Sequence, residues 1–147
     1  MADGYVVEAA GVTKRFRDSR GGELLTAVDC LDIRAVRGKM TALIGPDGAG
    51  KTTFLRMVCG LMFPTEGILS VLGISVADKP ADVQRRLGYM PQKFGLYEDL
   101  TCMENMNLYA DLHGISAEER KERFEKLFHM TGLAPFAQLS LIHISEP

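Results

Sequence analysis

Residues 45–53 read Gly45-Pro46-Asp47-Gly48-Ala49-Gly50-Lys51-Thr52-Thr53, glycines closely spaced and followed by an ammonium and two hydroxyls. Every fixed position of the phosphate-loop template, G-x-x-x-x-G-K-[ST], is filled. Glycine at 45, 48 and 50 lets the backbone curl until successive N–H groups point inward, which makes an anion nest at the start of a helix. Polyphosphate is the matching guest. Lys51 reaches the β- and γ-phosphates as a mobile point charge, the Thr52 hydroxyl completes Mg²⁺ coordination, and Thr53 contacts the α-phosphate.

Such a loop works only between a strand and a helix, and the flanking sequence supplies both. Met40-Thr41-Ala42-Leu43-Ile44 is mostly apolar and runs into glycine, the pattern of a buried parallel strand. Thr52 to Leu61 carries Phe54, Leu55, Val58 and Leu61 at helical spacing, with Gly60 and Pro64 near its end. Ahead of them, Tyr5 to Ala9 reads as a strand, Lys14 to Gly22 as a polar loop, and Leu25 to Val36 as a long returning strand. Beyond them come a strand at Ile68 to Gly73, a short helix at Ala81 to Leu87, and a strand at Gly88 to Gln92 that opens into a loop. Two helices follow, announced by the capping-box pairs Thr101/Glu104 and Ser116/Glu119 and ended by Gly114 and Gly132. The second sets Phe124, Leu127 and Phe128 against a charged face, the pattern of a helix packed on its neighbour.

Composition removes several classes of function. The 147 residues are 46% hydrophobic and 24% charged, with a formal net charge of -2, which describes a folded domain without the basic footprint of a nucleic-acid binder. The N-terminus lacks the order of a signal peptide, and no window approaches about 18 uninterrupted apolar residues. Cys30, Cys59 and Cys102 are odd in number and widely spaced, which suits reduced thiols buried as small hydrophobes. With His113, His129 and His143 they form no ligand-spaced cluster, so a structural zinc is not expected.

The phosphate loop alone leaves open GTPases, nucleotide kinases, motors and transport ATPases. No guanine-reading Asn-Lys-x-Asp motif or acceptor lid is found. From Ala10 to about Phe136 the chain resembles the nucleotide-binding subunit of ATP-binding cassette (ABC) transporters. The carriers are Gly11 to Phe16, Ala27-Val28-Asp29, the loop Gly45 to Thr53, Gly60-Leu61 with Pro64 to Gly67, and Gly88-Tyr89-Met90-Pro91-Gln92 leading into Leu96 to Thr101 and Glu104-Asn105. Asp47 in place of the more usual Asn, together with PQKFGLYEDLT and NLYADL, looks closest to the bacterial ABC-2-type multidrug efflux ATPases, some of which carry two such domains in tandem.

The resemblance implies an α/β fold of the P-loop NTPase, ABC ATPase type, with an N-terminal antiparallel β part and a helical subdomain beginning near residue 93. It implies ATP and Mg²⁺ as cofactors. Phe16 holds the position whose ring stacks on adenine, and Gln92 that of the glutamine that touches Mg²⁺ and the attacking water and relays nucleotide state. It implies a membrane-spanning permease and a second nucleotide-binding domain as partners, a cytoplasmic place at the inner membrane face, and ATP-driven export.

The family pattern further asks for a Leu-Ser-Gly-Gly signature, an apolar strand ending in a Mg²⁺-binding Asp beside a catalytic Glu, and a switch His, all downstream of Gly132. None occurs in the 147 residues, and His143 lacks the elements that would make it the switch. Binding without turnover is therefore the expected activity of this chain. Met40 to Ile44 is also expected to lack a neighbouring strand and to leave an unpaired apolar edge. Residues 139–147, Leu-Ser-Leu-Ile-His-Ile-Ser-Glu-Pro, depart from the pattern and read as adapter-derived sequence, so the domain is taken as 1–138.

Overall fold

The computed structural model describes residues 4–17, 24–92, 95–140 and 142. The chain divides into two compact units, Met1–Tyr89 and Met90–Pro147. The first is built on β1 (Tyr5–Arg17), β2 (Leu24–Val36), α1 (Lys51–Val58), β3 (Glu66–Val71), β4 (Ile74–Ser75) and α2 (Pro80–Gln84). Its strands form one antiparallel sheet in the order β2-β1-β3-β4.

Alternation along β1 sets the two faces of that sheet. Ala9 is buried while Glu8 is only half-buried and Ala10 exposed, as a period of two requires. The register then slips between Ala9 and Val12, so that Val12 and Thr13 are both buried in succession. Such a bulge leaves backbone groups that the ladder no longer pairs. The Gly11 N–H donates to Asp32 Oδ1 at 2.8 Å, and the Cys30 N–H donates to Thr13 Oγ1 at 3.0 Å.

Under the inner face, Phe54 and Met57 of α1 pack with Val28, Leu69, Val71, Val76 and Val83 as one core. Residues 54 and 57 lie one turn apart on one side of α1, while Leu55 and Arg56 face water. Met57 has no exposed surface. Truncating such a side chain costs about 2–5 kcal/mol, so α1 and the loop before it are tied to the sheet by a large fraction of a small domain's stability.

The second unit holds α3 (Cys102–Leu112), α4 (Ala117–Thr131) and a 3₁₀ turn at Ala134–Phe136. Thr101 and Glu104 form the full capping box, the Glu104 N–H donating to Thr101 Oγ1 at 3.1 Å and the Thr101 N–H to Glu104 Oε2 at 2.8 Å. Carbonyls of Leu139 and Ala137 accept from the N–H groups of Cys102 and Met103, and Ser140 bridges to Thr101. Only half of the second box forms. Ser116 Oγ accepts from the Glu119 N–H at 3.3 Å, and Gly132, at φ 69°, ends α4 in the left-handed region as expected. Arg120 pins the connection by donating to Ile115 O at 2.8 Å and pairing with Asp111. Ala110 and Phe128 are the buried apolar residues of this unit.

Several expectations need correction. Met40 to Ile44 is not a strand: Met40 is 100% and Ile44 91% exposed. A parallel strand exists only if a neighbour takes its hydrogen bonds, and among the described residues none lies alongside. Gly88 to Gln92 is irregular for the same reason. β1 continues to Arg17 through residues read as loop, because β2 offers partners for Lys14, Arg15, Phe16 and Arg17. α1 stops at Val58, and β4 was not foreseen, since two residues carry no period. The thiols are less buried than expected: Cys30 is exposed and Cys59 and Cys102 are intermediate, although burial still pushes the Cys59 thiol above its ordinary range. Asp18 to Gly22 of the expected loop, and His143, lie outside the described residues.

The hydrogen bond from the Thr101 N–H, and then that from its hydroxyl, hold the Glu104 carboxyl below the usual glutamate range. Its contribution is therefore complete above the unfolded value and is lost as pH falls through the lowered one. Thr101→Ala should cost about 1 kcal/mol and weaken that acid dependence only in part, because the N–H of residue 101 still donates to Glu104, as read by helicity during denaturant unfolding at several pH values.

Candidate functional site

The loop from Gly45 to Gly50 closes on its own backbone. The Ala49 N–H donates to Pro46 O at 3.3 Å, and the Phe54 N–H takes Gly50 O at 2.9 Å to start α1. Gly48 and Gly50 both lie in the left-handed region, at φ 78° and 82°. Their surroundings differ. A Cβ on Gly48 would meet nothing within 4 Å, whereas one on Gly50 would lie 2.0 Å from the Ala27 carbonyl oxygen. Only hydrogen fits at residue 50, and that close approach presses the loop against β2.

Lys51 opens the helix and turns back over the loop, its Nζ donating to Gly45 O at 2.7 Å and Pro46 O at 2.6 Å. The ammonium thus sits at the mouth of the curl. No acidic residue occupies the first turn of α1, and no side chain caps it. Among the described residues, no carbonyl outside the helix accepts from the N–H groups of Lys51, Thr52 or Thr53. The contrast with α3, whose first turn is filled by Thr101, Leu139 and Ala137, is direct. Helix N-termini carry roughly half a positive charge and favour an anion by about 0.3–1 kcal/mol even when exposed.

Thr52 is exposed and Thr53 half-buried, so the first hydroxyl faces solvent beside the ammonium. Asp47 is exposed at the tip of the loop. A cavity of about 230 Å³ reaches Ala49, Gly50 and Lys51 and is walled by Val28, Leu31, Leu43, Ile44 and Phe54, with Asp29 at its edge; Asp47, Thr52 and Thr53 do not line it. The donor set of backbone N–H groups, ammonium and hydroxyl fits a polyphosphate with its divalent cation. Among the described residues no cluster of three His, Cys, Asp or Glu could hold a metal by protein ligands alone.

Nine of the site residues read from sequence, Gly45 to Thr53, are brought together in this way. Phe16 is elsewhere on the same unit. It is half-buried on β1 opposite Leu25, with the Lys14 ammonium 5.3 Å from its ring centroid, and it does not line the cavity. The ring is thus already engaged by a cation. Gln92 is exposed in a bend of the second unit. Sequence reasoning missed Ala27, whose contribution is a backbone oxygen, and Val28 and Leu31, whose alternation in β2 gave only a strand.

A model of the ABC transporter family matches residues 28–146. The chain belongs to the ABC transporter family. It is 48% identical over 131 residues to the "Probable multidrug ABC transporter ATP-binding protein YbhF" of Escherichia coli (strain K12), an alignment covering 89% of this chain and 22% of that protein. It is 32% identical over 125 residues to the ABC transporter ATP-binding protein NatA of Bacillus subtilis (strain 168), covering 84% of this chain and 50% of that one. The chain therefore spans half or less of these relatives. Among solved structures, the dimeric post-hydrolysis state of the ATP-binding cassette MJ0796 bound to ADP and Pi superposes with a TM-score of 0.79 at 29% identity, covering 91% of this chain and 61% of that one. ABC cassettes are thus its structural neighbours, and the expected fold class holds.

The two glycines provide a test. Gly48→Ala meets only left-handed strain, about 1–2 kcal/mol, whereas Gly50→Ala must also displace the Ala27 carbonyl and should cost at least about twice as much. Urea unfolding of the two variants should show this order.

Proposed function

We propose that residues 1–138 are the ATP-binding part of an ABC export system, which couples ATP binding and hydrolysis to transport through a membrane-spanning permease. The observation that carries the reading is the uncapped start of α1, where a glycine nest, a free helix N-terminus and the Lys51 ammonium converge. In this reading the N–H groups of the loop Gly45, Pro46, Asp47, Gly48, Ala49, Gly50 take phosphate oxygens. Lys51 exchanges its two carbonyl partners for the β- and γ-phosphates, and Thr53 contacts the α-phosphate. Thr52 would hold Mg²⁺, which supplies charge neutralisation on the phosphates when bound. Phe16 stacks on adenine after releasing its contact with Lys14.

Turnover needs the Mg²⁺-placing Asp, the catalytic Glu, the signature and the switch His, and the 147 residues contain none of these motifs. Binding without hydrolysis is therefore proposed for the chain itself, and hydrolysis for the protein in its complete form. The partners in this reading are a permease and a second nucleotide-binding domain, in a dimer or in tandem. The MJ0796 cassette is described as dimeric. No helix among the described residues is long and apolar enough to cross a membrane, which agrees with a cytoplasmic place at the inner face, held there by the permease. A net charge of -2 offers nothing to nucleic acid.

Export of drug-like molecules is favoured by the likeness to YbhF and by 34% identity over 134 residues to the daunorubicin resistance ATP-binding protein DrrA3 of Streptomyces coeruleorubidus. An import protein for osmoprotectants, OsmV of Salmonella typhimurium, matches at 33%, so direction is the finer part of the proposal. Residues 139–147 are proposed to be foreign to the domain.

Lys51→Ala removes a charge-assisted contact to phosphate and should weaken ATP binding about tenfold to a hundredfold. Titration with a fluorescent ATP analogue measures it, and unchanged affinity would sink the assignment. Sequencing the natural gene past the Gln138 codon should reveal a Leu-Ser-Gly-Gly segment and an apolar strand ending in Asp-Glu; a natural frame that reads on through Leu139 to Pro147 would refute the foreign tail.

A further inference from the structure

Pairing between β1 and β3 ends at Thr13 opposite Glu66, where β3 begins, so past Thr13 that edge of β1 has no strand alongside among the described residues. Residues 63–66, which lead from α1 to β3, take the edge over. The Thr65 N–H donates to Thr13 O at 2.7 Å, and the Arg15 N–H donates to Thr65 Oγ1 at 3.0 Å. The Lys14 ammonium donates to Phe63 O at 2.8 Å, and the Arg15 guanidinium pairs with Glu66. Pro64 has no N–H to give a ladder, so a side-chain hydroxyl does at 65 what a backbone carbonyl does in a strand.

The side-chain contacts are exposed, and water could serve the same groups at little cost. Stability alone does not call for them. What they share is their place, for they converge on the residues just before Phe16, whose ring meets the Lys14 ammonium at 5.3 Å and whose backbone pairs with Leu25 of β2. The other end of the corner is fastened to α1, where the Gly60 N–H donates to Met57 O at 2.9 Å and the Leu61 N–H to Arg56 O at 3.0 Å. Since α1 begins at the phosphate loop, a path of hydrogen bonds runs from that loop, through the helix and the corner, to the backbone beside Phe16. All of it lies within the first unit.

We propose that Thr65, with the Arg15–Glu66 pair, is a positioning residue that fixes the Phe16 strand end relative to the phosphate loop, and so favours a ligand carrying both a flat base and a polyphosphate over polyphosphate alone. This rests on the reading above in which Phe16 stacks on adenine. There Lys14 releases the ring while Thr65 keeps the strand in place, so the ring turns on a backbone already set for the ligand. Thr65 itself touches no ligand in that reading.

In the full chain, Thr65→Val keeps the side chain's shape and removes the acceptor. It should weaken binding of a fluorescent ATP analogue about threefold to tenfold, while inorganic tripolyphosphate, measured by displacement of the analogue, keeps its affinity within about twofold. Thr65→Ser should restore the analogue's affinity. Unchanged binding of the analogue in Thr65→Val would overturn the role, as would an equal loss for tripolyphosphate, which marks general loss of structure, or a serine that does not rescue. Phe16→Ala separates this role from the reading beneath it, and should weaken the analogue but not tripolyphosphate. If Phe16→Ala weakens neither, the adenine reading falls and the role of Thr65 with it. If it weakens the analogue alone while Thr65→Val does not, only the role of Thr65 falls.

Discussion

The Ala27 carbonyl on β2 and the α-carbon of Gly50 approach so closely that a methyl group cannot stand between them, and the geometry of the first unit follows from that contact. It fixes where the loop meets the sheet. Phe54 and Met57 then drop into the core one turn later, so the direction of α1 is set by two anchors, one steric and one hydrophobic. An anion nest is useful only if its N–H groups hold their aim without a ligand, and these two anchors supply that rigidity.

The starts of α1 and α3 show how the same backbone chemistry serves opposite ends. At α3 the orphan N–H groups are satisfied by Thr101, Leu139 and Ala137, and the helix start is closed to any guest. At α1 glycine replaces the capping side chain and Lys51 folds back on two carbonyls, which leaves the first turn without a side-chain cap. Capping stabilises a helix by about 1 kcal/mol, and the first turn of α1 forgoes that gain. In the proposed function, the donors left free there are the ones that take phosphate.

The units also divide the work. Antiparallel pairing and an apolar core support the phosphate loop in the first, while the second is a helix pair with few buried apolar residues and one heavily used buried amide, Asn105. A rigid platform suits a site that must hold charge in register.

The sequence by itself determined what is local. GPDGAGKTT specified the curl and its chemistry because glycine conformations, a helix start and a lysine stem operate within nine residues, and Thr101/Glu104 specified a cap because its partners are three apart. It also carried the family, through ordered motifs whose spacing survives translation into a linear string. Tertiary structure decided everything that needed a distant partner. Met40 to Ile44 had the composition of a strand, yet a strand is a property of a pair, and with no partner among the described residues it is irregular and exposed. β1 ran on to Arg17 because β2 was opposite. Ala27, already a carrier of the family resemblance, meets Gly50 through an oxygen that every residue carries, so its side chain could not announce that contact. Asn105 looked like one polar residue in a helix, until folding brought three carbonyls to its amide.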